Sequence, residues 1–533
     1  MIALGIEGTA HTISCGIVDQ KNILSNVSRT YHNPNGGIHP REAAQHHADN
    51  VKDVIDGAMQ NAGLRLDDVD LVAYSRGPGL GPCLRIAATA ARTISVKAGK
   101  PIVGVNHPLG HVEIGRKVTG ASDPIMLYVS GGNTQVISHS NGRYRVMGET
   151  MDIGLGNLLD KLGRDIGFPF PGGPQIERLA LQGKKLIDLP YSVKGMDTSF
   201  SGIYTAAREH LKKGESPEDV CFSVQEYSFA MLLEVLERGL HQTSKDEILL
   251  AGGVAKNLRL REMISELSAH LGIKAYLTAD QYCMDNGAMI AQAGLLMYKN
   301  GHRIGLDEAT VDQRFRIDQV EVPWIPDSGR NIPENRGAES VVSITEYRGR
   351  ETVTKMRIPK TYRNLELDNN IRIARMRNEL SIILKGREIG IPFPGVYDVD
   401  PVKFSTTYER ITGGTLRNYM KERDSVEGTI HQLGSYVGKM HSAGITHGDL
   451  TVSNVLVAED GKPFFIDTSM GKSDSEIEDM AVDVYLFDES LKAASIRAET
   501  EMSTFRKGYR ESFAKWNEVF ATVSELERRR RYV

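Results

Sequence analysis

A pair of histidines four residues apart is the first feature of this sequence that could do chemistry. His107 and His111 lie in the segment VNHPLGH, residues 105–111, with Pro108 directly after the first histidine. Proline suits the first position of a helix, so Pro108 predicts a helix with His107 at its N-terminal end. Residues four apart share one helix face, so the two imidazoles could bind one metal ion. An isolated pair of this kind is more often two surface histidines, and a metal site therefore requires further ligands.

Two oxygen ligands from distant parts of the chain could complete such a site. Tyr128 opens a glycine turn, and Asp285 lies within the motif CMDNGA. Imidazole combined with phenolate and carboxylate oxygen suits iron(II), zinc or manganese better than copper(I). No glutamate follows His107, so the His-Glu-x-x-His pattern of zinc peptidases is absent, together with its general base. This argues against a metallopeptidase.

Three glycine turns, each directly after an apolar run, could present backbone amides to an anion. They are EGT at residues 7–9, SGGNT at residues 130–134 and AGGVAKN at residues 251–257. Glycine allows close approach of the backbone to a phosphate. A single turn is more often a hairpin connection, but three at strand exits favour a duplicated α/β body with a nucleotide-like ligand between two lobes.

The elements around these turns follow from the apolar spacing. Residues 43–62 carry apolar side chains on one stripe and are predicted to form a core-facing helix, with His46 and His47 at its surface or core edge. Asp160 and Glu177 flank the turn FPGGP at residues 170–174. Taken alone, both carboxylates are expected to be solvated.

Length and composition limit the classes of protein to consider. A chain of 533 residues exceeds the size of one hydrophobic core, so two or more domains are expected. The net charge of −4 excludes a broadly basic surface, so any contact with nucleic acid depends on local patches. Four scattered cysteines without a Cys-x-x-Cys pair indicate a reducing compartment. Without a basic leader or a membrane-length apolar run, we expect a cytoplasmic protein.

The second part of the chain carries a different set of reactive residues. The segment VPWIPDSGRNIPENR, residues 322–336, holds three prolines and no apolar period, which predicts a domain boundary. Beyond it, Lys355 ends an apolar strand and Glu379 faces inward on a helix. HGDLTVSN and FFID then supply Asp449, Asn454 and Asp467.

This ordered set is the active-site arrangement of protein-kinase-like phosphotransferases. Asp449 would accept or orient the hydroxyl or water proton. Asn454 and Asp467 would bind Mg²⁺, and Lys355 paired with Glu379 would hold the phosphates of ATP.

A family resemblance follows from the motifs of the first part. GIEGTAHT, GPGLGPCLR, VNHPLGH, YVSGGNTQ, NLLDKLGR, FPGGPQIE, LAGGVAKN and MDNGAMIA occur in order. Together they resemble the universal tRNA threonylcarbamoyladenosine transferase family, the TsaD and KEOPS catalytic subunit, over residues 1–324. The resemblance implies an actin-like, two-lobed α/β fold related to sugar kinases and heat-shock ATPases, with a metal in the cleft.

The same resemblance implies a set of ligands and a reaction. His107, His111, Tyr128 and Asp285 would hold Fe²⁺ or Zn²⁺. Threonylcarbamoyl-AMP would be held by Tyr128, Val129, Ser130, Gly131, Gly132, Asp160, Gly173, Glu177 and Asn257. The threonylcarbamoyl group would pass to the adenosine next to the anticodon, in tRNAs that read codons beginning with A. Small KEOPS subunits are expected partners.

Residues 337–533 resemble the small atypical kinase of the KEOPS complex, the p53-related protein kinase family. GAESVV, KMRIPKTYR, LDNNIRIARMRNE and HGDLTVSN carry this resemblance. It implies a small kinase-like α+β domain in which ATP is bound by Gly337, Ala338, Glu339, Ser340, Val341, Lys355 and Glu379. A linker is expected at residues 325–336.

Several departures from the protein-kinase pattern argue against phosphorylation of other proteins. Gly448 stands at the arginine position of His-Arg-Asp, and Thr468 and Ser469 replace Phe and Gly after Asp467. ATP hydrolysis or autophosphorylation that regulates the first domain is therefore expected. The basic run of residues 528–531 could contact tRNA phosphates, although such runs are usually solvated tails.

Other functions remain open at this stage. The principal alternative is a signalling Ser/Thr protein kinase fused to an actin-like ATPase binding module. The glycine turns alone would also permit a sugar-kinase-like or chaperone-like ATPase, which needs no metal chelate.

Overall fold

The computed structural model describes residues 1–33, 37–326, 339–423 and 425–532, with only the backbone of residues 527–532. The chain divides into two compact units. Unit 1 comprises residues 1–332 and 361–364, and unit 2 comprises residues 333–360 and 365–533. Most of the predicted linker, residues 327–336, lies outside the described residues, so the predicted domain limits stay predictions.

Unit 1 contains two five-stranded sheets and a short hairpin. The first sheet is built from β1 (Ala3–Glu7), β2 (Thr12–Val18), β3 (Ile23–Thr30), β4 (Leu71–Gly77) and β5 (Ile102–Asn106). The second is built from β6 (Ile125–Val129), β7 (Thr134–Ser140), β8 (Arg143–Glu149), β11 (Glu247–Ala251) and β12 (Lys274–Leu277), and β9 (Val193–Lys194) pairs with β10 (Asp197–Thr198).

The two sheets repeat one topology. The strand order is β3-β2-β1-β4-β5 in the first and β8-β7-β6-β11-β12 in the second. In each sheet three antiparallel strands formed by consecutive hairpins are followed by parallel crossovers, since β1 pairs parallel with β4 and β6 parallel with β11. This duplication confirms the predicted actin-like α/β class, and the glycine turns at residues 7–9 and 130–134 occupy equivalent hairpins.

Ten helices complete unit 1 among the described residues. They are α1 (Pro40–Ala62), α2 (Gly81–Ala98), α3 (His107–Thr119), α4 (Leu155–Ile166), α5 (Gly173–Ala180), α6 (Ser201–Lys212), α7 (Pro217–Thr243), α8 (Leu258–Leu271), α9 (Asp280–Cys283) and α10 (Gly287–Lys299). Helix α10 is almost entirely buried and apolar, as in Ala288–Ala293. One core cluster joins α10 to α3 and to strands of both sheets, which fixes α3 where the two sheets approach each other.

Unit 2 has a sheet-rich part followed by a helical part. Its strands are β13 (Ser340–Tyr347), β14 (Arg350–Arg357), β15 (Val396–Asp400), β16 (Ser405–Glu409), β17 (Gly413–Thr415), β18 (Val455–Ala458) and β19 (Pro463–Phe465). Its helices are α11 (Leu365–Glu388), α12 (Leu416–Glu422), α13 (Glu427–Ser442), α14 (Ile477–Ala494), α15 (Ala498–Ser512) and α16 (Trp516–Tyr532). The sheet orders are β13-β14-β16-β15 and β17-β18-β19.

This arrangement is the predicted kinase-like α+β plan. A four-stranded sheet carries Lys355 on β14, and α11 follows it with Glu379 buried. The helical part packs around one core cluster that includes Leu433, Val484 and Phe505.

Two details of the fold differ from or extend the sequence expectations. His47 on α1 is fully buried, and burial lowers its pKa to about 4, so it is a neutral core residue rather than one at the surface or core edge. All four cysteines are unpaired and buried.

Of the helices in the described ranges, none has the length and apolarity needed to cross a membrane.

Candidate functional site

The two histidines lie in the first turns of α3, as their spacing predicts. The helix begins at His107, so His107 lies at its N-terminal end as predicted, and Asn106 caps it by accepting a hydrogen bond from the Leu109 amide at 3.1 Å. Pro108 occupies the first turn, where a missing amide hydrogen has no cost.

Asp285 lies beside the two histidines in space, although it follows His111 by 174 residues in the sequence. Its Oδ1 atom lies 3.4 Å from Nε2 of His107 and 3.3 Å from Nε2 of His111. The candidate ligand atoms of the three residues all lie within 4.8 Å of one another. The His107 and His111 residues are only 5% and 1% exposed, so this is a buried cluster rather than a surface pair.

Tyr128 lies next to the cluster, near the end of β6. The centroids of its ring and the His111 ring are 4.9 Å apart. Its phenolic oxygen is buried and has no hydrogen-bond partner of good geometry among the described residues. A buried hydroxyl without a partner is costly. A metal ion held by His107, His111 and Asp285 would give this oxygen a ligand role, so the residues present fit the predicted iron or zinc site.

Charge interactions within the cluster shift its proton equilibria. Burial would lower the pKa of His107, but the Glu7 carboxylate, Tyr128 and the Asp285 carboxylate raise it well above the usual histidine value. Burial lowers the pKa of His111. The two imidazoles hold the pKa of Asp285 well below its usual range despite burial, whereas burial raises the pKa of Tyr128.

Glu7 is a site residue that the sequence reasoning missed. Its Oε2 atom lies 3.2 Å from Nδ1 of His107, and its side chain is fully buried at the end of β1. Thr9 Oγ1 donates to Glu7 Oε1 at 2.5 Å, and the Thr9 amide donates to the same oxygen at 2.7 Å. The carboxylate therefore faces the ring nitrogen opposite the one that points toward Asp285, as in carboxylate–histidine–metal arrangements.

A cavity of about 690 Å³ opens onto the cluster. Its lining combines the cluster with the two equivalent hairpins and with α4. The lining residues include Thr9, His11, Gly79, His107, Tyr128, Ser130, Gly131, Gly132, Asn133, Asn157, Asp160, Lys161, Arg164, Phe170, Gly253, Met284 and Asp285. The volume suits a small-molecule ligand of nucleotide size.

The predicted substrate-binding residues fall into two groups. Tyr128, Ser130, Gly131, Gly132 and Asp160 line this cavity. Asp160 accepts a hydrogen bond from the Gly172 amide at 2.8 Å, and burial raises the pKa of Asp160.

The remaining predicted residues do not line the cavity. They are Val129, Gly173, Glu177 and Asn257. Asn257 caps α8 and donates to Gln225 Oε1 at 2.6 Å, while Glu177 accepts from the Leu258 amide at 2.7 Å. Both side chains thus have structural partners, and their role in substrate binding stays a prediction.

In unit 2, Lys355 lies between two carboxylates. Its Nζ atom is 3.1 Å from Glu379 Oε1 and 2.8 Å from Asp467 Oδ1. Burial would lower the pKa of Lys355, but Asp467 and Glu379 raise it above the usual lysine value. The structure therefore brings Lys355 and Glu379 together, and their predicted role in holding ATP phosphates stays a prediction.

Asp449 and Asn454 also lie together. Asn454 Nδ2 donates to Asp449 Oδ2 at 3.0 Å and to the Asp449 carbonyl at 2.8 Å. The loop before Asp449 is held by Asp483 on α14, which sequence reasoning missed. Asp483 accepts from the amides of His447 at 2.6 Å and Gly448 at 2.7 Å.

Comparison with known proteins gives a consistent result over the whole chain. Residues 22–292 match the family described as TsaD, tRNA N6-adenosine threonylcarbamoyltransferase, and residues 415–478 match the lipopolysaccharide kinase (Kdo/WaaP) family. A probable bifunctional tRNA threonylcarbamoyladenosine biosynthesis protein of Thermoplasma acidophilum is 54% identical over 533 residues, which is 100% of each chain. The protein of the same description from Methanosarcina mazei is 45% identical over 99% of each chain.

The chain belongs to the bifunctional tRNA threonylcarbamoyladenosine biosynthesis family. Family membership supports a TsaD transferase joined to a kinase-family domain over a signalling kinase with an ATPase binding module. Among solved structures, a ROK hexokinase from Thermus thermophilus is 17% identical, with 56% of this chain and 100% of that chain covered at a TM-score of 0.32. The fold assignment depends on the repeated strand order and the family match rather than on this similarity.

The kinase-family domain of this bifunctional chain departs from protein kinases at Gly448 for a structural reason. Gly448 has φ of +83°, and a Cβ atom there would overlap the backbone of Met470 and Gly471. An arginine at this position would therefore be strained and would not fit.

The nucleotide-loop residues predicted in this domain are only partly described. Gly337 and Ala338 lie outside the described residues, while Glu339 pairs with Arg375 at 2.8 Å. Ser340 and Val341 begin β13.

An apolar surface beside these residues escaped the sequence reasoning. Val342 pairs across the sheet with Lys355, and Ile344 pairs with Val353, so these side chains share one face. Val342 is 51% and Ile344 61% exposed, which leaves a small apolar surface on the Lys355 face of the sheet.

Proposed function

We propose that unit 1 transfers the threonylcarbamoyl group of threonylcarbamoyl-AMP to the adenosine next to the anticodon in tRNAs that read codons beginning with A. The observation that carries this proposal is the buried cluster of His107, His111 and Asp285 on a nucleotide-sized cavity. The turns of both equivalent hairpins and polar side chains of α4 line the same cavity. One ligand could therefore place its phosphate and its acyl group against polar groups of the protein.

The reaction needs few groups because the acyl adenylate is already activated. The exocyclic amine of adenosine attacks the carbamoyl carbon, the bond from that carbon to the phosphate oxygen breaks, AMP leaves, and the amine loses a proton. Ser130, Gly131 and Gly132 would orient the adenylate at the turn after β6. A bound Fe²⁺ or Zn²⁺ would supply Lewis-acid stabilisation of charge on the phosphate or carbonyl oxygen.

Direct attack by the RNA amine is proposed rather than a covalent enzyme intermediate. The cysteines are buried, and none of the described residues that line the cavity is a cysteine. Burial raises the pKa of the Cys15, Cys83, Cys221 and Cys283 thiols, which disfavours thiolate nucleophiles. A single-turnover reaction quenched in acid should contain no threonylcarbamoyl group attached to protein, and detecting one by mass spectrometry would refute direct attack.

The decisive experiment supplies threonylcarbamoyl-AMP and unmodified tRNA to the full chain and measures modified adenosine together with bound metal. His111→Ala should lose at least about 100-fold in activity and lose metal in the same preparation. His139→Ala is the matched control. His139 is also buried, but its Nε2 atom lies 3.2 Å from the Val322 carbonyl oxygen, and His139 does not line the cavity. Full activity of His111→Ala would contradict the proposal.

For unit 2 we propose a Mg²⁺-dependent ATPase or autokinase that regulates the transferase. Lys355 and Glu379 would position the phosphates, Asn454 and Asp467 would bind Mg²⁺, and Asp449 would orient the attacking water or hydroxyl. Asp449→Asn should abolish phosphate release and self-phosphorylation while leaving Mg²⁺-ATP binding intact. Phosphorylation of unrelated proteins by the wild type, lost in Asp449→Asn, would favour a signalling kinase instead.

The partners follow from the proposed substrates. tRNA and threonylcarbamoyl-AMP are substrates, small KEOPS subunits are expected to assemble with the chain, and a cytoplasmic location follows from the use of tRNA. With a net charge of −4, the chain requires local basic patches for tRNA. The side chains of the basic run at residues 528–531 lie outside the described residues. If that run contacts phosphates, tRNA affinity should fall steeply with salt.

A further inference from the structure

Asn378 on α11 is a polar side chain of unit 2 that the proposed ATP chemistry does not use. Its Nδ2 atom donates to the Ser469 carbonyl at 3.0 Å and to the Gly471 carbonyl at 2.6 Å. A side-chain amide nitrogen carries two hydrogens, so one nitrogen can donate to both carbonyls. Asn378 therefore joins α11 to the segment that follows Asp467, residues 468–471.

The same segment also packs against the loop that leads to Asp449. A Cβ atom on Gly471 would overlap the Thr446 carbonyl oxygen, so the two backbones are in close contact. The Thr446 amide donates to the Lys472 carbonyl at 2.9 Å. Residues 468–471 are thus held both by α11 and by the loop that carries the proposed catalytic aspartate.

The position of the Asp467 carboxylate depends on this segment. Asp467 has φ of +60°, a left-handed conformation that is uncommon for residues other than glycine and is kept where surrounding contacts hold it. The Ser469 hydroxyl donates to Asp467 Oδ1 at 3.1 Å, and Lys355 Nζ lies 2.8 Å from the same oxygen. Ser469 is only 5% exposed, and its carbonyl accepts from Asn378. Asn378 therefore reaches Asp467 through one buried residue.

We propose that Asn378 is a positioning residue that holds the Asp467 carboxylate where it binds the Mg²⁺ of Mg²⁺-ATP. The proposal rests on the proposed nucleotide site of unit 2 and deepens it. Glu379 directly follows Asn378, and consecutive helix residues point about 100° apart. Helix α11 can therefore contact Lys355 through Glu379 and the Asp467 segment through Asn378. The position of one helix then sets both the phosphate-binding and the metal-binding groups.

The first test measures backbone amide exchange by mass spectrometry in the full chain without nucleotide. Asn378→Leu keeps the approximate size of the side chain and removes the donor, so residues 468–472 should exchange at least about tenfold faster than in the wild type. The reporters are the Gly471 amide, which donates to the Thr468 carbonyl at 3.0 Å, and the Lys472 amide, which donates to Thr446 Oγ1 at 3.0 Å.

Asn369→Leu is the matched control for this exchange experiment. Asn369 is also a half-buried asparagine of α11, but its Oδ1 atom accepts from Arg372 at 2.8 Å. It should leave exchange of residues 468–472 within about twofold of the wild type. Unchanged exchange of that segment in Asn378→Leu would overturn the proposal. Equally faster exchange over α13 would also overturn it, because Asn378 would then stabilise the unit as a whole.

The second test measures ATP affinity in excess Mg²⁺ and in EDTA, so that the ratio of the two affinities reports the contribution of the metal. Asn378→Leu should lower this ratio about tenfold while the affinity in EDTA stays within about twofold of the wild type. Asp467→Asn should lower the ratio as well. The double variant should match Asp467→Asn within about twofold, because Asn378 acts through that carboxylate.

The outcomes separate this proposal from the nucleotide site on which it rests. An unchanged ratio in Asn378→Leu, or additive losses in the double variant, would overturn the positioning role. A wild type that binds no ATP, or whose ATP affinity does not respond to Mg²⁺, would refute the proposed nucleotide site. In that case the exchange experiment still decides whether Asn378 holds the segment after Asp467.

Discussion

Glu7 illustrates how a single side chain can tune the candidate metal site from outside the ligand set. It ends an apolar strand and is fully buried, and its contact with Nδ1 of His107 orients the ring so that Nε2 faces Asp285. A carboxylate at this position favours a proton on Nδ1 and leaves Nε2 free for a metal. Strand β1 positions the Glu7 carboxylate, and Thr9 in the hairpin turn donates a hydrogen bond to Oε1, the oxygen that does not face His107.

Replacing Glu7 with Gln should weaken metal binding while the ligands remain. The amide keeps the size of the side chain but removes the negative charge that favours the required His107 tautomer. We expect a loss of about 10- to 100-fold in affinity, measured by competition with a chelator of known affinity. Glu113→Gln is a suitable control, because Glu113 is a buried carboxylate of α3 that bonds Tyr144 at 3.0 Å and Trp324 at 3.1 Å instead. Equal affinities of Glu7→Gln and the wild type would contradict this role.

Proton release on metal binding should reveal whether Tyr128 is a ligand. The pKa of His107 is raised well above its usual value, chiefly by the Glu7 carboxylate acting against burial, so we expect His107 to release a proton when metal binds. Metal affinity should therefore rise with pH up to that raised pKa. Burial also raises the pKa of Tyr128, so a phenolate ligand would release a second proton.

Calorimetric titrations of metal in buffers of different ionisation enthalpy measure the number of protons released per metal ion bound. About two protons released at pH 7 would indicate phenolate coordination, and about one would indicate that His107 alone loses a proton. Tyr128→Phe should reduce a count of two to one. No proton release would contradict the raised pKa of His107.

At the scale of elements, the wall of the cavity depends on how α6 supports α4. The Lys161 ammonium of α4 lies 5.7 Å from the Tyr204 ring of α6, and Tyr204 donates to Asp165 at 2.8 Å. The start of α6 is held by Asp152, which accepts the Phe200 amide at 2.9 Å and the Ser201 amide at 3.0 Å. Hydroxyls of Ser199 and Ser201 donate to the same carboxylate, and these bonds lower the pKa of Asp152 to about 2.

Asp152→Asn should therefore destabilise unit 1 by about 1 kcal/mol at neutral pH, since the amide keeps one acceptor oxygen and loses the charge at the helix start. The folded-state pKa is below the ordinary aspartate value near 3.9, so the stabilisation is present above about pH 4 and is lost as pH falls toward 2. Urea unfolding of both proteins at several pH values measures the difference. A difference that grows as pH falls would contradict this assignment.

At the scale of the whole molecule, the sequence predicted which side chains come together in each candidate site better than it predicted the residues that support them. Helical spacing and motif order located His107, His111, Asp285, Lys355 and Asp449, because their neighbours carry strong local signals. Convergence of Asp285 on α3 depends on the buried helix α10 that follows it, which no local pattern encodes.

The supporting residues were missed for physical reasons. Glu7 is the last residue of a buried strand, and from the sequence alone a carboxylate at that position is assigned to the solvated turn that follows. One of these residues did carry a usable signal. Asp483 lies among core-facing positions of α14 such as Val484 and Phe487.

Because each candidate site is built from described residues of one unit only, the two binding functions should be separable in the full chain. His111→Ala should lose metal yet bind Mg²⁺-ATP within about twofold of the wild type, since the candidate metal ligands belong to unit 1 and Lys355 with its two carboxylates belongs to unit 2. Asp449→Asn should retain the wild-type metal content, measured by plasma mass spectrometry. The transferase reaction with both variants then separates binding from regulation. Loss of metal in Asp449→Asn, or loss of nucleotide binding in His111→Ala, would indicate that the two sites are thermodynamically coupled, by a free energy equal in both directions.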